Sequence, residues 1–464
     1  MVDLNQRKSE VQQAGKAARD FIVSLTDELS FVELDTFAFS KSDFFEEAAD
    51  IGAGVVTGFA RIGDKPIYLA VQNEHDHKGG MTKAQADKIL KAMTQAEKAE
   101  APFVLVLSGK GARIGEGLAV MDGFARLAAK ASALYGEIPL ITVIRGDTFG
   151  SAAFVAAQSD FVFTVGEAQL ATNSSAVIAA KKPDLKAADV AGPKAQAENG
   201  SCSVRVADAA ELRIRLNELL DLLSGEIAEV GEDSLNYSCA GLNEGYDPEK
   251  ILSCVLDPGS FFELNAGFGE EVRIGLGRAG GFTVGVLLCA DETNGVKIGN
   301  AAARKISRFA RLLECYGIPL VSFVNASGTA VCPGAERHGL MREVGSMMSA
   351  ITDLCAPKIS VVCKKAQGAG YMALAAKGLG FDYVLAWPEA EISLLSDEVA
   401  LNTVYAAELA ASKDPEAARA ELAEKYARLE SDPMNAAKDG LIDNIIEPST
   451  TRQYLISALM MLTA

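Results

Sequence analysis

Short apolar runs recur along the chain, and each is followed by a segment with helical periodicity. Phe103–Leu107 and Leu140–Ile144 are such runs in the first half, and residues 320–324 and 359–363 are similar runs in the second half. A short run rich in β-branched residues, opened by proline and showing no polar alternation, is typical of a strand buried on both faces. The pattern therefore predicts an α/β fold in which helices cover a largely parallel sheet.

Apolar side chains at helical spacing predict the faces that these helices bury. One stripe comprises Leu118, Met121, Phe124, Ala125, Ala128 and Ala131, and the other comprises Leu340, Val344, Met347, Met348, Ile351 and Leu354. We expect both stripes to pack on the core. The lysine-rich stretch from Lys83 to Lys98 predicts a solvated helix face, and residues 398–429 predict one closing helical segment.

The chain repeats itself once. Ser30-Phe31-Val32-Glu33-Leu34 returns 230 positions later as Ser260-Phe261-Phe262-Glu263-Leu264. Further matches keep the same order at offsets of 217 to 222, and they pair Pro102 with Pro319, Pro139 with Pro357, Gly150 with Gly368, and Asp160 with Asp382. A conserved order with a slowly drifting offset indicates two copies of one fold. We therefore predict domains at 1–228 and 229–464, joined by the polar segment 225–250.

Charge and cysteine usage narrow the possible partners. The 464 residues carry a formal net charge of -18, which repels phosphate backbones and argues against nucleic acid as a partner. No apolar run is long enough to suggest a membrane span. The eight cysteines include no C-x-x-C pair and most lie in apolar runs, so we expect buried, reduced thiols in a cytoplasmic enzyme.

Glycine occurs at matched strand-to-helix turns in the two copies. Phe149-Gly150-Ser151 and Gln367-Gly368-Ala369-Gly370-Tyr371 each follow a buried strand and open an apolar helix. The first N–H groups of a helix lack internal acceptors, so such turns can stabilise an enolate or another oxyanion without an ionisable side chain. The alternative is that the small residues only permit tight packing. Because the two turns occupy equivalent positions, the functional interpretation is favoured.

Other loops offer weaker signals. Gly79-Gly80 precedes a helix, and the segment 108–117 contains Gly111, Ala112 and Arg113 but lacks the Walker spacing. Arg113 could contact a phosphate or pair with Glu116, and the sequence leaves both open. His75 and His77 lack an identifiable third ligand, so we expect no metal. We expect His338 to be a helix-surface or packing residue.

Together these residues resemble the biotin-dependent carboxyltransferase family, which includes acyl-CoA carboxylase β subunits and sodium-pumping decarboxylase α subunits. The resemblance extends from Ser30 to about Glu447. It rests on the Ser-Phe-x-Glu-Leu opening, the Gly79-Gly80 loop, the pattern from Ser108 to Gly117, the Gly368 to Tyr371 turn, and Leu385-Ala386-Trp387-Pro388.

The resemblance implies two tandem crotonase-like domains with ββα-superhelix cores that arose by internal duplication. It implies an enzyme that moves a carboxyl group from carboxybiotin to the α-carbon of an acyl-CoA, with the biotin ureido nitrogen taking the α-proton. Acyl-CoA would lie along the first copy, and biotin would enter from the second copy of a neighbouring subunit. The implied oxyanion holes are at Gly150, Ser151, Ala369 and Gly370. The implied binding residues are Gly79, Gly80, Gly111, Ala112, Arg113, Gly368, Tyr371 and Met372.

The resemblance also implies partners. The sequence contains no Met-Lys-Met biotinylation motif and no recognisable nucleotide loop. Biotin is therefore expected in trans on a biotin carboxyl carrier protein charged by a biotin carboxylase, or by membrane subunits in a decarboxylase. A cytoplasmic homohexamer is expected, and the apolar thioether of Met372 favours an uncharged acceptor acyl chain.

Three departures from the family pattern point to a divergent branch with an altered substrate pocket. The first turn is usually Gly-Gly-Ala and here reads Gly150-Ser151-Ala152. The second is usually Gly-Gly-Ala-Tyr and here reads Gly368-Ala369-Gly370-Tyr371, and the segment 108–117 carries one extra residue. The alternatives are a sodium-pumping decarboxylase running the reverse reaction, a crotonase-fold hydrolase with Ser151 as nucleophile, and a non-catalytic scaffold subunit.

Overall fold

The computed structural model describes residues 4–38, 52–74, 79–231, 235 and 237–463. His75 and His77 lie outside these residues, so the metal site considered for them is not addressed by the structure. The chain divides into two compact units, Met1–Leu223 and Ser224–Ala464, which we call unit 1 and unit 2.

Unit 1 contains eleven described strands. They are β1 (Val32–Leu34), β2 (Val55–Ile62), β3 (Lys65–Gln72), β4 (Gly80–Met81), β5 (Phe103–Leu107), β6 (Gly111–Ala112), β7 (Leu140–Ile144), β8 (Thr148–Phe149), β9 (Phe161–Val165), β10 (Leu170–Ala171) and β11 (Val204–Val206). The main sheet has the order β1-β2-β3-β5-β7-β9-β11. Strands β1 to β3 are antiparallel, and the remaining strands are parallel.

Unit 2 repeats this order. Its described strands are β12 (Phe262–Leu264), β13 (Val272–Ala279), β14 (Phe282–Cys289), β15 (Val296–Ile298), β16 (Leu320–Thr329), β17 (Lys358–Gln367), β18 (Tyr383–Ala386), β19 (Glu391–Ser393) and β20 (Asn444–Ile445). The sheet runs β12-β13-β14-β16-β17-β18-β20, with β15 on β16 and β19 on β17. The α/β class and the duplication are therefore confirmed.

Helices connect the strands in both units. In unit 1 they are α1 (Leu4–Ala14), α2 (Lys16–Leu25), α3 (Lys83–Lys98), α4 (Leu118–Leu134), α5 (Ser151–Ala157), α6 (Ser175–Lys181), α7 (Ala188–Ala191), α8 (Pro193–Glu198) and α9 (Ala209–Leu222). In unit 2 they are α10 (Pro248–Val255), α11 (Asn300–Cys315), α12 (Pro333–Arg337), α13 (Leu340–Asp353), α14 (Ala369–Leu374), α15 (Asp397–Thr403), α16 (Ala406–Ala411), α17 (Pro415–Tyr426), α18 (Pro433–Lys438) and α19 (Thr451–Leu462).

The same carboxylates organise the same turns in both units. Asp27 accepts hydrogen bonds from the backbone of Gly63 and Asp64, at 3.1 and 2.8 Å. Asp257 accepts them from Gly280 and Gly281, at 3.0 and 2.8 Å. In the parallel part of the sheets, Asp160 and Asp382 each accept from the first residue of a neighbouring strand at 2.8 Å. The repeat is therefore a repeat of hydrogen bonds as well as of sequence.

One of the two predicted helical stripes is confirmed, and the other is rotated. Helix α13 buries Leu340, Val344, Met347 and Ile351, as expected. Helix α4 instead buries Val120, Phe124, Leu127, Ala131 and Leu134. The prediction for Leu118, Met121 and Ala125 was wrong, since all three are exposed. The reason is tertiary: the N-terminal end of α4 borders the turn at Ser151, and the Ser151 Oγ lies 3.9 Å from the Met121 Sδ.

The lysine-rich helix α3 is not wholly solvated. Lys88 is buried, and its Nζ donates to the carbonyl of Val55 at 2.7 Å. Lys305, 217 positions later, is buried and donates to the carbonyl of Val272 at 2.7 Å. Each lysine satisfies the first carbonyl of the equivalent strand, β2 or β13. Burial lowers the pKa of Lys88 to about 8 and that of Lys305 to about 8.

Three further expectations need correction. Residues 398–429 form three short helices, α15 to α17, followed by a π-helical turn at Ala427–Ser431 rather than one segment. The described part of segment 225–250 packs on unit 2, where the Ala228 N–H donates to the Gly281 carbonyl at 3.0 Å. Among the thiols, Cys332 and Cys355 are exposed, because Cys332 lies in the loop before α12 and Cys355 in the loop after α13.

The buried Lys88 of α3 leads to a prediction about how the free energy of unfolding changes with pH. Between pH 8 and 10.5 the unfolded chain binds more protons at Lys88 than the folded chain, so this group's contribution to stability rises with pH. The free energy of unfolding of wild type should therefore rise relative to that of Lys88→Met across this window, by at most about 1.4 kcal/mol per pH unit. Urea titrations at several pH values would measure it.

Lys98→Met, at an exposed position of the same helix, controls for loss of one positive charge. A difference between wild type and Lys88→Met that does not change with pH would contradict the prediction.

Candidate active site

The first candidate turn has a backbone conformation that requires glycine. Gly150 has φ 67 and ψ -137, and α5 begins at the next residue, Ser151. The Gly150 N–H donates to the carbonyls of Ala171 and Thr172 at 3.2 Å, which fixes the turn against β10. A Cβ on Gly150 would meet nothing within 4 Å, so dihedral strain and not space demands glycine here.

Two other sequence-predicted loops converge on this turn. Gly80 pairs with Gly111 and Met81 pairs with Ala112 in the β4–β6 ladder. Gly111 has φ 107, and a Cβ there would lie 3.8 Å from the Phe149 carbonyl. The structure therefore places Gly111 of β6 beside the turn that opens α5, and Gly80 of β4 pairs with Gly111. The backbone N–H groups at the start of α5 have no acceptor within the helix.

Arg113 lies near Glu116, one of the two partners that the sequence left open. Its Nη1 lies 3.8 Å from the Glu116 Oε1, and its backbone N–H donates to Met81 at 2.9 Å. The other Glu116 oxygen accepts from the Lys83 N–H at 2.7 Å, which places a carboxylate at the start of α3. Arg113 thus helps to hold the loop between β6 and α4 against α3.

The equivalent turn in unit 2 has a similar backbone geometry, but less space is available for a side chain beside it. Gly368 has φ 52 and ψ -124, and its N–H donates to the Ser393 carbonyl at 3.0 Å. A Cβ on Gly370 would lie 2.7 Å from the Ala326 carbonyl, so α14 rests directly on the backbone of β16. The tight-packing alternative therefore applies to Gly370, whereas Gly368 is required for its conformation.

Sequence reasoning missed one pair of residues in unit 2. Gly328 and Thr329 follow Gly111 and Ala112 by 217 positions and end β16. Gly328 has φ 110, and a Cβ there would lie 3.8 Å from the Gln367 carbonyl, which repeats the contact of Gly111 with Phe149. The offset that links Pro102 to Pro319 would have identified both residues.

A cavity of about 830 Å³ opens beside the unit 2 turn. Four sequence-predicted residues line it, namely Gly368, Ala369, Tyr371 and Met372. Apolar side chains from β19, the π-helical turn and the end of α18 complete much of the wall, and its polar residues are Ser393, Glu430, Asn435, Lys438 and Asp439. Burial raises the pKa of the Tyr371 phenol, so its hydroxyl keeps its proton at neutral pH.

Exposed apolar side chains flank both turns at equivalent positions. Ile114 and Phe154 lie beside the unit 1 turn, and Val331 and Met372 occupy the matching places in unit 2.

His338 is exposed and its Nδ1 lies 2.7 Å from the Gly334 carbonyl, which agrees with a helix-surface role. The described residues include no group of three metal-ligating side chains and no helix long and apolar enough to cross a membrane.

The left-handed glycines generate the second prediction. Gly150→Ala and Gly368→Ala force a side chain into a backbone region that is nearly exclusive to glycine, which should lower the free energy of unfolding by about 1–3 kcal/mol each. Gly345→Ala is the matched control, because Gly345 lies within α13 with open space around it and should gain about 0.5–1 kcal/mol. Denaturant titration measures all three, and equal effects at the three positions would contradict the assigned turn geometry.

Comparison with known proteins extends these observations. The carboxyl transferase domain family matches residues 9–464. A propionyl-CoA carboxylase beta chain from Cereibacter sphaeroides is 31% identical, covering 98% of this chain and 92% of its own length. A methylmalonyl-CoA decarboxylase subunit alpha from Propionigenium modestum is 27% identical, covering 96% of this chain and 90% of its own length.

Among solved structures, transcarboxylase 12S with hydrolysed methylmalonyl-coenzyme A bound superposes with a TM-score of 0.92. It is 26% identical, and the match covers 99% of this chain and 95% of that one. The expected fold of two tandem crotonase-like domains is confirmed. The chain therefore belongs to the carboxyl transferase domain family and is a biotin-dependent acyl-CoA carboxyltransferase.

Proposed function

We propose that this chain is the carboxyltransferase component of an acyl-CoA carboxylase, transferring a carboxyl group from carboxybiotin to the α-carbon of an uncharged acyl-CoA. One observation carries the proposal: each unit places a left-handed glycine before a helix and a second left-handed glycine beside it. The pairs are Gly150 with Gly111 and Gly368 with Gly328. We call each glycine pair, together with the backbone N–H groups beside it, an oxyanion corner. A reaction with two developing oxyanions requires two such corners.

In unit 1 the proposed task is to hold the thioester. The N–H groups of Ser151 and Ala112 would donate to the thioester oxygen as negative charge develops on it during enolate formation. Fixed backbone donors stabilise that charge more in the transition state than in the ground state. Gly79, Gly80 and Arg113 would bind the coenzyme A portion, since they line the ladder that leads to this corner.

In unit 2 the proposed task is to bind the biotin ring. Carboxybiotin, when bound, would supply the carboxyl group, and the ureido nitrogen from which that group departs would be basic enough to take the α-proton. The cavity beside Gly368 fits such a group, since its volume lies within the range of about 300–1,000 Å³ typical of small-molecule sites and much of its wall is apolar. The N–H groups of Ala369, Gly370 and Thr329 would face the ureido oxygen, and Tyr371 and Met372 would bound the ring and the acyl chain.

The proposed assembly is a homohexamer that receives biotin in trans. The transcarboxylase 12S structure is a hexamer assembled as a multienzyme core. The apolar side chains around both turns, such as Ile114 and Val331, are exposed in the single chain, as expected for surfaces covered by other subunits. A biotin carboxyl carrier protein and a biotin carboxylase would complete the carboxylase.

A second candidate is the reverse reaction. The methylmalonyl-CoA decarboxylase subunit alpha from Propionigenium modestum is 27% identical to this chain, which is close to the 31% identity of the propionyl-CoA carboxylase beta chain. The same oxyanion corners serve both directions, because a catalyst lowers one barrier for the forward and the reverse step. Membrane decarboxylase subunits would then replace the biotin carboxylase. ATP-dependent carboxylation in a reconstituted complex would favour the carboxylase.

Proline substitution tests the donors one at a time. Ser151→Pro and Ala369→Pro remove a single N–H at the first position of a helix, where proline is otherwise well accommodated. We expect each to lower the rate of carboxyl exchange between malonyl-CoA or methylmalonyl-CoA and biotin by about 10²-fold or more. Radiolabel transfer measures this rate.

The controls are Ser151→Ala and Ala369→Ser, which keep the N–H and should exchange at nearly the wild-type rate. A folded Ser151→Pro protein with wild-type exchange would contradict the assigned donor. Hydrolysis that wild type performs and Ser151→Ala loses would instead indicate a nucleophilic hydroxyl and a hydrolase. A wild-type hexamer that exchanges no label would indicate a scaffold subunit.

The supply of biotin in trans is a separate prediction. This sequence contains no Met-Lys-Met motif. Intact-mass spectrometry of the purified chain should therefore show no covalent biotin, and carboxyl exchange should require added biotin or biotinylated carrier protein. ATP-dependent carboxylation of an acyl-CoA by the pure chain alone would contradict it.

A further inference from the structure

A side-chain amide is buried at the end of strand β3 in unit 1. The Gln72 Nε2 donates to the Gly79 carbonyl at 3.3 Å and to the Gln85 Oε1 at 3.2 Å. Its Oε1 accepts a hydrogen bond from the Ser108 backbone N–H at 3.1 Å. Because the Gly79 carbonyl can only accept and the Ser108 N–H can only donate, the orientation of this amide is fixed. Gln72 therefore ties the loop before β4 to the end of β5.

The loops that meet at Gln72 approach each other too closely for side chains. A Cβ on Gly109 would lie 2.7 Å from the Gln72 Oε1, and a Cβ on Gly79 would lie 2.4 Å from the Ser108 carbonyl. The Gly109 carbonyl in turn accepts a hydrogen bond from the Phe149 N–H at 3.2 Å, at the residue before the unit 1 turn. The amide is therefore connected, through close backbone contacts, to the oxyanion corner of unit 1.

Unit 2 has a buried amide with equivalent connections at a different position. The residue 217 positions after Gln72 is Cys289, and Asn325 on the neighbouring strand β16 supplies the amide instead. The Asn325 side chain is buried, and its Nδ2 donates to the Asp291 carbonyl at 2.6 Å. Its Oδ1 accepts a hydrogen bond from the Lys365 N–H at 3.2 Å. The amide again ties the loop before a short strand, here β15, to a neighbouring strand, here β17.

The Asn325 amide fills an irregularity in the ladder between β16 and β17. The register shifts at this point, where Asn325 alone faces residues 363–365 of β17. Backbone groups in such a bulge lose their ladder partners, and a buried N–H without a partner is costly. The Asn325 side chain supplies a partner for the Lys365 N–H, three residues before Gly368.

Both amides have the same placement relative to the oxyanion corners. Gln72 binds an N–H three residues before Gly111, and Asn325 binds an N–H three residues before Gly368. We propose that these amides are positioning residues for carboxyl transfer, Gln72 for the acyl-CoA half of the reaction and Asn325 for the biotin half. The inference rests on the proposed function. Each side chain acts through the loops that it joins, and a displacement of backbone donors by about 1 Å can cost about 10²-fold in rate.

Substitutions that remove each amide but keep its size test the two roles separately. In radiolabel exchange between methylmalonyl-CoA and biotin, Gln72→Met should lower kcat by about 10²-fold and raise KM for methylmalonyl-CoA about fivefold, with KM for biotin unchanged. Asn325→Leu should also lower kcat, but it should raise KM for biotin and leave KM for methylmalonyl-CoA unchanged. A purely structural role would lower the active fraction and change neither KM.

Gln196→Met is the matched control. Gln196 is buried in unit 1, and its Nε2 donates to the Val190 carbonyl at 3.3 Å, so the same substitution removes a comparable amide. Its exchange kinetics should stay near those of wild type. Circular dichroism and light scattering on every variant first establish that the fold and the oligomer are those of wild type.

Gln72→Glu adds a pH profile. When protonated, the carboxyl group can accept from the Ser108 N–H and donate to the Gly79 carbonyl, as the amide does. When ionised, it has no donor for that carbonyl. Burial raises the pKa of a carboxyl group, so the kcat of this variant relative to wild type should recover as the pH falls from about 8 to about 6. A ratio that does not change with pH would overturn the role assigned to the Gly79 bond.

The remaining outcomes separate this inference from the proposed function. Unchanged kcat in folded Gln72→Met, or equal changes in both KM values, would overturn the inference alone. Variants that unfold at every pH would also overturn it, since the amides would then serve only stability. A wild-type chain that exchanges no label would refute the proposed function, and this inference with it.

Discussion

The rest of the structure depends on a backbone constraint, a glycine with φ near +60° placed between a buried strand and a helix. Gly150 and Gly368 adopt this conformation, which turns the chain abruptly enough to start a helix at the end of a parallel strand. The abrupt turn leaves the first N–H groups of the helix without internal acceptors. Packing of α5 and α14 against the sheet, the cavity of unit 2 and the proposed chemistry all follow from it.

Duplication supplies the two sets of backbone donors that the proposed transfer requires. Two copies of the turn, each beside a second left-handed glycine, present backbone donors in two places, and a reaction that passes through an enolate needs such donors more than it needs a histidine. The copies have also diverged in a way that follows from their surroundings. Asp27 and Asp257 organise equivalent hairpins, and in unit 2 the Glu226 carbonyl accepts a hydrogen bond from Arg278 beside the second hairpin.

The duplicated polar residues show how much of the interior is devoted to holding the sheets in register. Lys88 and Lys305 reach from helices to the first carbonyls of β2 and β13, and Asp160 and Asp382 bind the first N–H groups of β7 and β17. Buried polar groups of this kind cost free energy unless they are satisfied, so their recurrence at equal offsets reflects the same backbone groups needing the same partners.

The sequence by itself determined four central strands (β5, β7, β16 and β17), the duplication and the glycine turns, because each leaves a mark in the sequence: β-branched runs, proline before a strand, and glycine where no other residue takes the conformation without strain. It also located Tyr371 and Met372 at what proves to be a cavity wall. Only the tertiary structure decided that Leu118 and Met121 are exposed, that Lys88 is buried, and that Gly370 is required by contact with Ala326. Those outcomes depend on which neighbour covers a side chain, and residues distant in sequence supply that neighbour.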